Sequence, residues 1–293
     1  MCPVPAIVSV PERCIHAKYL TLYSRLHNAP CQYVFWVRLI AAVMCDITAT
    51  GGRSVFPASG LGAAVGRQFT AEGGRVAVVD LDEEKAQVVA GKLDGAIAMG
   101  VDVSAEDAVG RCVEQAAQHF GSIDCLFNAA GHAEFGPIEE WSFERWQRMM
   151  TVHAGGTFLF CRQVLPVMRQ QGAGAIVNVA SVAALAAQAG NAPYGAAKGA
   201  ILAFSRQLAR DAAPEIRVNT VAPGRTRTGM TEPLMIKRAG SVEQGSVMFG
   251  QGNLQKRVAE PEEIAAPVCF LLSDEASFIT GTLLVADGGE TAV

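Results

Sequence analysis

Apolar residues fall along this chain in two alternating patterns. One is the short unbroken run, as in Gly74-Arg-Val-Ala-Val-Val-Asp80, Ala175-Ile-Val-Asn-Val-Ala180 and Ile216-Arg-Val-Asn-Thr-Val-Ala-Pro-Gly224. Runs apolar at consecutive positions are buried on both faces, as parallel strands are. The other pattern places apolar residues three or four apart. Ala197, Ile201, Phe204 and Leu208 follow Pro193 in this way, and Trp146, Met149, Met150, Phe158, Phe160, Val164, Leu165 and Met168 form such a set within 142–171. These spacings predict helices over 193–210 and 142–171, with others over 63–69, 83–90, 105–119 and 261–272. Phe278 to Gly289 supplies a last strand and turn. Strands alternating with helices predict an α/β fold built on a parallel sheet covered on both faces.

Two regions depart from the alternation. Residues 1–45 carry prolines, three cysteines before position 32 and no clear period. They are expected to be an irregular N-terminal extension, poorly ordered or foreign to the natural start, ahead of a single domain over 46–293. Arg13, Lys18, Arg25 and Arg38 with few acids also suit an organelle-directing segment. Residues 225–256 hold Met230, Leu234, Met235, Ile236, Met248 and Phe249 between glycines. They are expected to form a lid over a mainly apolar substrate, the plain alternative being an ordinary helical insertion.

Composition narrows the function. A net charge of −4 gives no electrostatic case for nucleic acid or an anionic membrane. The apolar run from Tyr33 to Cys45 contains Arg38 and is too short to span a bilayer. The eight cysteines include no Cys-x-x-Cys pair, and no histidine cluster has zinc spacing, so no metal is expected. Cys112, Cys125, Cys161 and Cys269 lie in apolar segments as reduced core residues, which suits a cytoplasmic protein.

The candidate chemistry lies between Ser181 and Lys198. Tyr194 and Lys198 are one helical turn apart on the helix that Pro193 starts. A phenol ordinarily ionises near ~10, and an ammonium beside it lowers that value. Such a tyrosine can exchange a proton with an alcohol oxygen at neutral pH. Tyr-x-x-x-Lys alone arises by chance, as a surface lysine beside a half-buried tyrosine. Ser181, thirteen positions upstream at the C-terminal end of a buried strand, shifts the balance, because ligands bind at that edge of open α/β sheets.

At this spacing the three residues resemble the Ser, Tyr and Lys of the short-chain dehydrogenase/reductases. Those enzymes move a hydride between nicotinamide C4 and a carbinol or carbonyl carbon. The resemblance runs from about residue 58 to 290 and implies a Rossmann-like, doubly wound parallel sheet. It makes Tyr194 the acid/base, has Ser181 hold the substrate oxygen, and has Lys198 bind the nicotinamide ribose while lowering the tyrosine pKa. Thr151-Val-His153-Ala-Gly-Gly-Thr-Phe158 resembles the segment bearing the family's fourth catalytic residue, an asparagine that fixes a relay water. His153 stands in its place. An imidazole also donates and accepts, although a lone helical histidine is more simply a core residue.

The resemblance also locates a nucleotide site. Gly60-Leu61-Gly62 fits the end of the family's Thr-Gly-x-x-x-Gly-x-Gly loop, where a helix start attracts pyrophosphate. Four residues before Gly60, however, stands Phe56, followed by Pro57. Either Thr50-Gly51-Gly52 supplies the first half of the motif and five extra residues bulge from the loop, or the first strand lies around Ser54-Val-Phe56. Asp80, twenty residues after Gly60 and followed by Leu81, matches the ribose-binding carboxylate. With no basic residue at Ser59, it implies NAD rather than NADP. Its plain alternative is a helix cap, for which Asp82 is the better candidate. Asp102-Val103 matches the pair beside the adenine, and Asn128-Ala129-Ala-Gly131 the turn beside the cofactor. Pro223-Gly224, Thr226 and Thr228 match the segment touching carboxamide or phosphate. His132, Ala183, Leu185, Gln188 and Phe135 are expected to border the substrate.

These features imply an NAD-dependent dehydrogenase or reductase acting on a secondary alcohol or ketone, with oxidation as the expected direction. The family's C-terminal pattern implies a homo-oligomer, tetramer or dimer. Two alternatives stay open. One is an NADP-dependent 3-oxoacyl-thioester reductase, against which Asp80 argues. The other is a cofactor-impaired homologue acting as a binding or scaffold subunit, or a faulty gene product, which the altered glycine loop motivates.

Overall fold

The computed structural model describes residues 52–58 and 60–292. The expectations for residues 1–45, Gly51 and Ser59 lie outside the described residues. Seven parallel strands form one sheet: β1 (Arg53–Pro57), β2 (Arg75–Asp80), β3 (Ile97–Gly100), β4 (Cys125–Asn128), β5 (Gly174–Val179), β6 (Ile216–Pro223) and β7 (Leu283–Ala286). Their spatial order is β3-β2-β1-β4-β5-β6-β7. The order reverses between β1 and β4, so a crevice opens there at the C-terminal edge.

The alternation of each strand divides the core in two. Val55, Ala77, Val79 and Ile176 face one layer; Phe56, Val76, Val78, Ala175 and Val177 face the other. Helices α1 (Leu61–Ala71), α2 (Glu83–Ala90) and α9 (Pro261–Leu272) cover the second set. The first set packs on α3 (Glu106–Phe120), α5 (Gly156–Gln171) and α6 (Ala192–Ala212). Both faces of the inner strands are therefore dry, which is why the sequence reads there as continuous apolar runs. The doubly wound Rossmann-like sheet is the fold found.

One sequence alternative is decided, for a first strand around Ser54-Val-Phe56, and two expectations are corrected. The first strand is Arg53–Pro57, paired with β2 from Arg53↔Arg75 to Pro57↔Val79. Gly52 thus precedes the strand, where its carbonyl accepts from Arg75 N at 2.8 Å, and is no part of the loop after it. Phe56 is drawn into the sheet because its ring packs edge-on against Phe69 and Phe127, at 5.1 and 5.9 Å. The helix expected over 142–171 is α4 (Phe143–Met150), a π turn over Thr151–Gly155, and α5. The last strand is only Leu283–Ala286.

The segment expected as a lid contains α7 (Glu232–Ala239) and α8 (Val242–Gly250). These pack together around Met235, Phe249 and Val258, a small core separate from the main one. Cys112, Cys125, Cys161 and Cys269 are free and buried, and burial pushes the first three thiols up to about 12.

Candidate active site

The strand ends bring the Ser181–Lys198 stretch to the crevice edge. Ser181 follows β5, and its Oγ accepts from Ala183 N at 3.2 Å, turning the chain into a short 3-10 segment over Val182–Ala184. Helix α6 then begins with Pro193 in its first turn. Tyr194 lies in this turn, close enough for the Ser181 side chain to act on its phenol. Lys198 is buried one turn further on, its Nζ 5.6 Å from the Tyr194 ring centroid and donating to Val179 O at 2.8 Å. The structure thus gathers Ser181, Tyr194 and Lys198.

The electrostatics differ from the sequence expectation. Burial pushes the Tyr194 phenol up to about 12, and the Ser181 hydrogen bond is what pulls it the other way. Burial also drives the Lys198 amine down to about 7. An ammonium this poorly hydrated is only partly charged at neutral pH, so it does not make the phenol acidic. Tyr194 at rest is a proton donor.

His153 sits in the π turn, a feature common at functional sites. Its ring stacks edge-on to Tyr194 and lies 5.3 Å from the ring of His132. Nε2 is 2.9 Å from the His132 carbonyl oxygen and 3.2 Å from the His132 amide nitrogen. A Cβ at Gly131 would come within 2.2 Å of this ring, so only glycine allows the approach. Burial, then the Lys198 charge, push the imidazole down to about 2. Neutral His153 can therefore hold a proton on one nitrogen but does not cycle through imidazolium near neutral pH.

The nucleotide residues follow the crevice. Gly60 has φ +52°, a conformation glycine adopts without strain, and opens α1. A Cβ on Gly62 would lie 2.2 Å from the Pro57 carbonyl oxygen, and one on Gly60 would touch Thr228 at 3.4 Å. Gly60, Gly62 and Thr228 are thus drawn close together where α1 begins. Asp80 ends β2, accepting from Asp82 N at 3.1 Å, beside exposed Leu81. Asp82 is the cap of α2, as its spacing suggests, which leaves Asp80 for another partner. Asp102 accepts from Ser104 N and Oγ at 2.9 and 2.6 Å, and Val103 packs on Gly156. Val103, Asn128 and Ala129 line a cavity of about 30 Å³ that reaches Phe56. On the other side, Pro223 ends β6, Gly224 N donates to Ala286 O at 2.9 Å, and Thr226 Oγ1 donates to Gly224 O at 3.2 Å. Of the expected substrate residues, Ala183 lies against Ser181, His132 against His153, and Gln188 accepts from Asn191 at 3.1 Å.

Residues 55–291 match a family model described as "Enoyl-(Acyl carrier protein) reductase", which belongs to the short-chain dehydrogenase/reductases. The chain is a member of that family. It is 39% identical to 2-(S)-hydroxypropyl-CoM dehydrogenase 3 of Xanthobacter autotrophicus, over 84% of this chain and 96% of that one. It is 36% identical to D-threitol dehydrogenase of Mycolicibacterium smegmatis, over 80% of this chain and 90% of that one. Among solved structures, levodione reductase superposes with a TM-score of 0.78 at 32% identity, covering 83% and 99% of the two chains. NAD+-bound xylitol dehydrogenase superposes with a TM-score of 0.77 at 30% identity, covering 82% and 98%.

Sequence reasoning missed how this dehydrogenase/reductase site is braced. Asn178, a polar residue inside β5, accepts from Asn128 Nδ2 at 2.9 Å and donates to Ser205 Oγ at 2.9 Å. Ser205 is two turns beyond Lys198 on α6, so β5 grips that helix at both residues. An asparagine inside an otherwise apolar strand was the available signal, since a buried amide demands partners.

Proposed function

We propose that this chain is an NAD(H)-dependent oxidoreductase that interconverts a secondary alcohol and a ketone. The observation that carries the reading is the gathering of Ser181, Tyr194 and buried Lys198 at the crevice edge, with Lys198 Nζ 5.6 Å from the Tyr194 ring centroid. Ser181 holds the reacting oxygen. Tyr194 gives its proton to a ketone oxygen in reduction; in oxidation it first releases that proton to solvent, and its phenolate then receives the alcohol proton. The nicotinamide ring, when bound, supplies or accepts the hydride at C4. His153 orients Tyr194 through its edge and ties down the His132 backbone. His132, Ala183 and Gln188 border the substrate.

For the cofactor, Gly60, Leu61, Gly62 and Thr228 take the pyrophosphate and Asp80 the adenosine ribose. Leu81, Asp102 and Val103 flank the adenine, and Asn128, Ala129 and Gly131 line the crevice floor. Lys198 takes the nicotinamide ribose, and Pro223, Gly224 and Thr226 the carboxamide side. The cradle at Gly60 and Gly62 supports this, and a carboxylate at Asp80 repels a 2′-phosphate, favouring NAD over NADP. The dehydrogenase names of relatives acting on hydroxypropyl-CoM and threitol support alcohol chemistry. Exposed Phe270 and Phe278 near edge strand β7 support a homo-oligomer, dimer or tetramer. Among the described residues no helix is long and apolar enough to cross a membrane; a small molecule is the expected partner, in the cytoplasm.

Phe56 favours a second reading. An aromatic residue stands at the place of the first glycine, and Pro57 after it has no N–H to offer, so a cofactor-impaired homologue is the alternative. Titrating NADH while following its fluorescence separates the two, alongside a panel of secondary alcohols scored for NADH formation. Saturable binding with turnover supports the dehydrogenase. No binding at millimolar NADH overturns it in favour of the impaired form.

A further inference from the structure

Four side chains from four separate segments meet beyond the Ser181–Tyr194 pair. Gln188 comes from the loop between those two residues, Arg225 from just after β6, Phe249 from α8 and Glu290 from the segment after β7. β5 and β6 run in register with Val179 opposite Val221, so the end of β6 stands level with Ser181 and Arg225 lies two residues beyond. Arg225 Nε is 3.5 Å from Glu290 Oε1, and Gln188 Nε2 donates to the same oxygen at 3.5 Å. The guanidinium lies over the Phe249 ring, 5.0 Å from its centroid.

This ion pair is not closed. Arg225 Nε, a donor, and Glu290 Oε2, an acceptor, are shielded from solvent with no hydrogen-bond partner among the described residues. The nearby pair Arg257–Glu263 shows what closure looks like, two parallel bonds of 2.6 Å each. Shielded polar groups left unpaired are costly, and here two of opposite sense stand side by side. A donor next to an acceptor is the complement of a hydroxyl, which gives its proton to one and accepts from the other.

We infer that Arg225 and Glu290 form a subsite for a second hydroxyl, so that the substrate is a diol or polyol. The inference rests on the alcohol-dehydrogenase reading and replaces the expectation of a mainly apolar molecule. Glu290 Oε2 accepts from the distal hydroxyl and Arg225 Nε, its guanidinium seated on the Phe249 ring, donates to it. A simple alcohol leaves both groups unpaired. A site built to bond a hydroxyl discriminates strongly against the analogue lacking it.

The test is a series of diols and tetritols with the second hydroxyl one to four carbons from the reacting carbinol. Each is compared with its mono-alcohol of equal length. At least one diol is expected to exceed its partner in kcat/KM by about tenfold or more, the scale of one hydrogen bond to a charged group. Glu290→Gln probes the same point without changing size. Two donors face Oε1, so the amide oxygen stays there and an NH2 replaces the acceptor Oε2. The diol to mono-alcohol ratio should then fall towards one, and the diol should no longer raise the Tm of the NADH-loaded variant as it does for the parent. Arg225→Leu should lower the same ratio. A parent enzyme without diol preference, or variants that lower both substrates equally, overturn the subsite and leave the dehydrogenase reading standing. If no alcohol of either kind is oxidised, the dehydrogenase reading fails and takes the subsite with it.

Discussion

His153 meets Tyr194 edge to face, with ring centroids 5.4 Å apart and planes at 89°. The contact is dry: His153 is almost fully buried, and its Nδ1 has no partner among the described residues. Its pKa, pushed down to about 2, makes its folded form refuse a proton that the unfolded form accepts near ~6.5. Above that value neither state is charged and the full stability is present. As the pH falls below it, the unfolded chain binds the proton first and stability is lost down to the folded pKa. His153→Asn removes this loss, so between about pH 6 and 4 its unfolding free energy should fall less steeply, by up to about 1.4 kcal/mol per pH unit. Urea unfolding at stepped pH measures this, and parallel curves for parent and variant would refute it.

Tyr194→Phe removes the hydroxyl on which Ser181 acts while keeping the ring that His153 and Lys198 contact. Turnover should fall by about 10²- to 10⁴-fold, the usual worth of a positioned acid or base. NADH affinity, set by the cradle and the ribose contacts, should stay within about twofold, well under the tenfold that ~1.4 kcal/mol brings. Substantial residual activity in steady-state assays would remove Tyr194 from proton transfer.

Asp80 has its carboxylate at the end of β2, while Asp82 takes over the capping of α2. Replacing Asp80 with alanine should therefore leave the helix intact and relax the preference for NAD. The ratio of kcat/KM for NAD to that for NADP should drop about tenfold or more, the loss of one charged hydrogen bond. An unchanged ratio would count against the ribose contact.

The sequence made the sheet legible because its inner strands are dry on both faces, so the apolar runs of β2, β5 and β6 could mean little else. Ser181, Tyr194 and Lys198 were legible for a different reason: strand end and helix start fix their spacing locally. What spacing does not encode is the solvent they lose. Tyr194 and Lys198 were read as a phenol tuned by a cation, yet burial moves the two groups in opposite directions and leaves the phenol protonated. Phe56 left two readings open for a third reason. Its place in β1 depends on Phe69 and Phe127, which are far apart in sequence, and no local pattern shows three rings meeting. The Arg225–Glu290 pair is likewise invisible before folding, being 65 residues apart along the chain.

Two glycines test the cofactor cradle by opposite outcomes. At Gly62 a methyl would stand 2.2 Å from the Pro57 carbonyl oxygen, which is backbone and cannot swing aside. Gly62→Ala must therefore push α1 away from the end of β1 and spread the seat between Gly60 and Thr228. NADH affinity should weaken at least tenfold, about 1.4 kcal/mol, with a lowered Tm. Gly199, beside Lys198 on α6, has nothing within 4 Å of where its Cβ would stand. Since alanine favours a helix interior over glycine by roughly 0.5–1 kcal/mol, Gly199→Ala should raise the Tm and leave NADH binding as it was. Fluorescence titration and thermal unfolding of both variants decide the matter. If Gly62→Ala binds NADH as the parent does, the turn at Gly60–Gly62 does not hold the pyrophosphate.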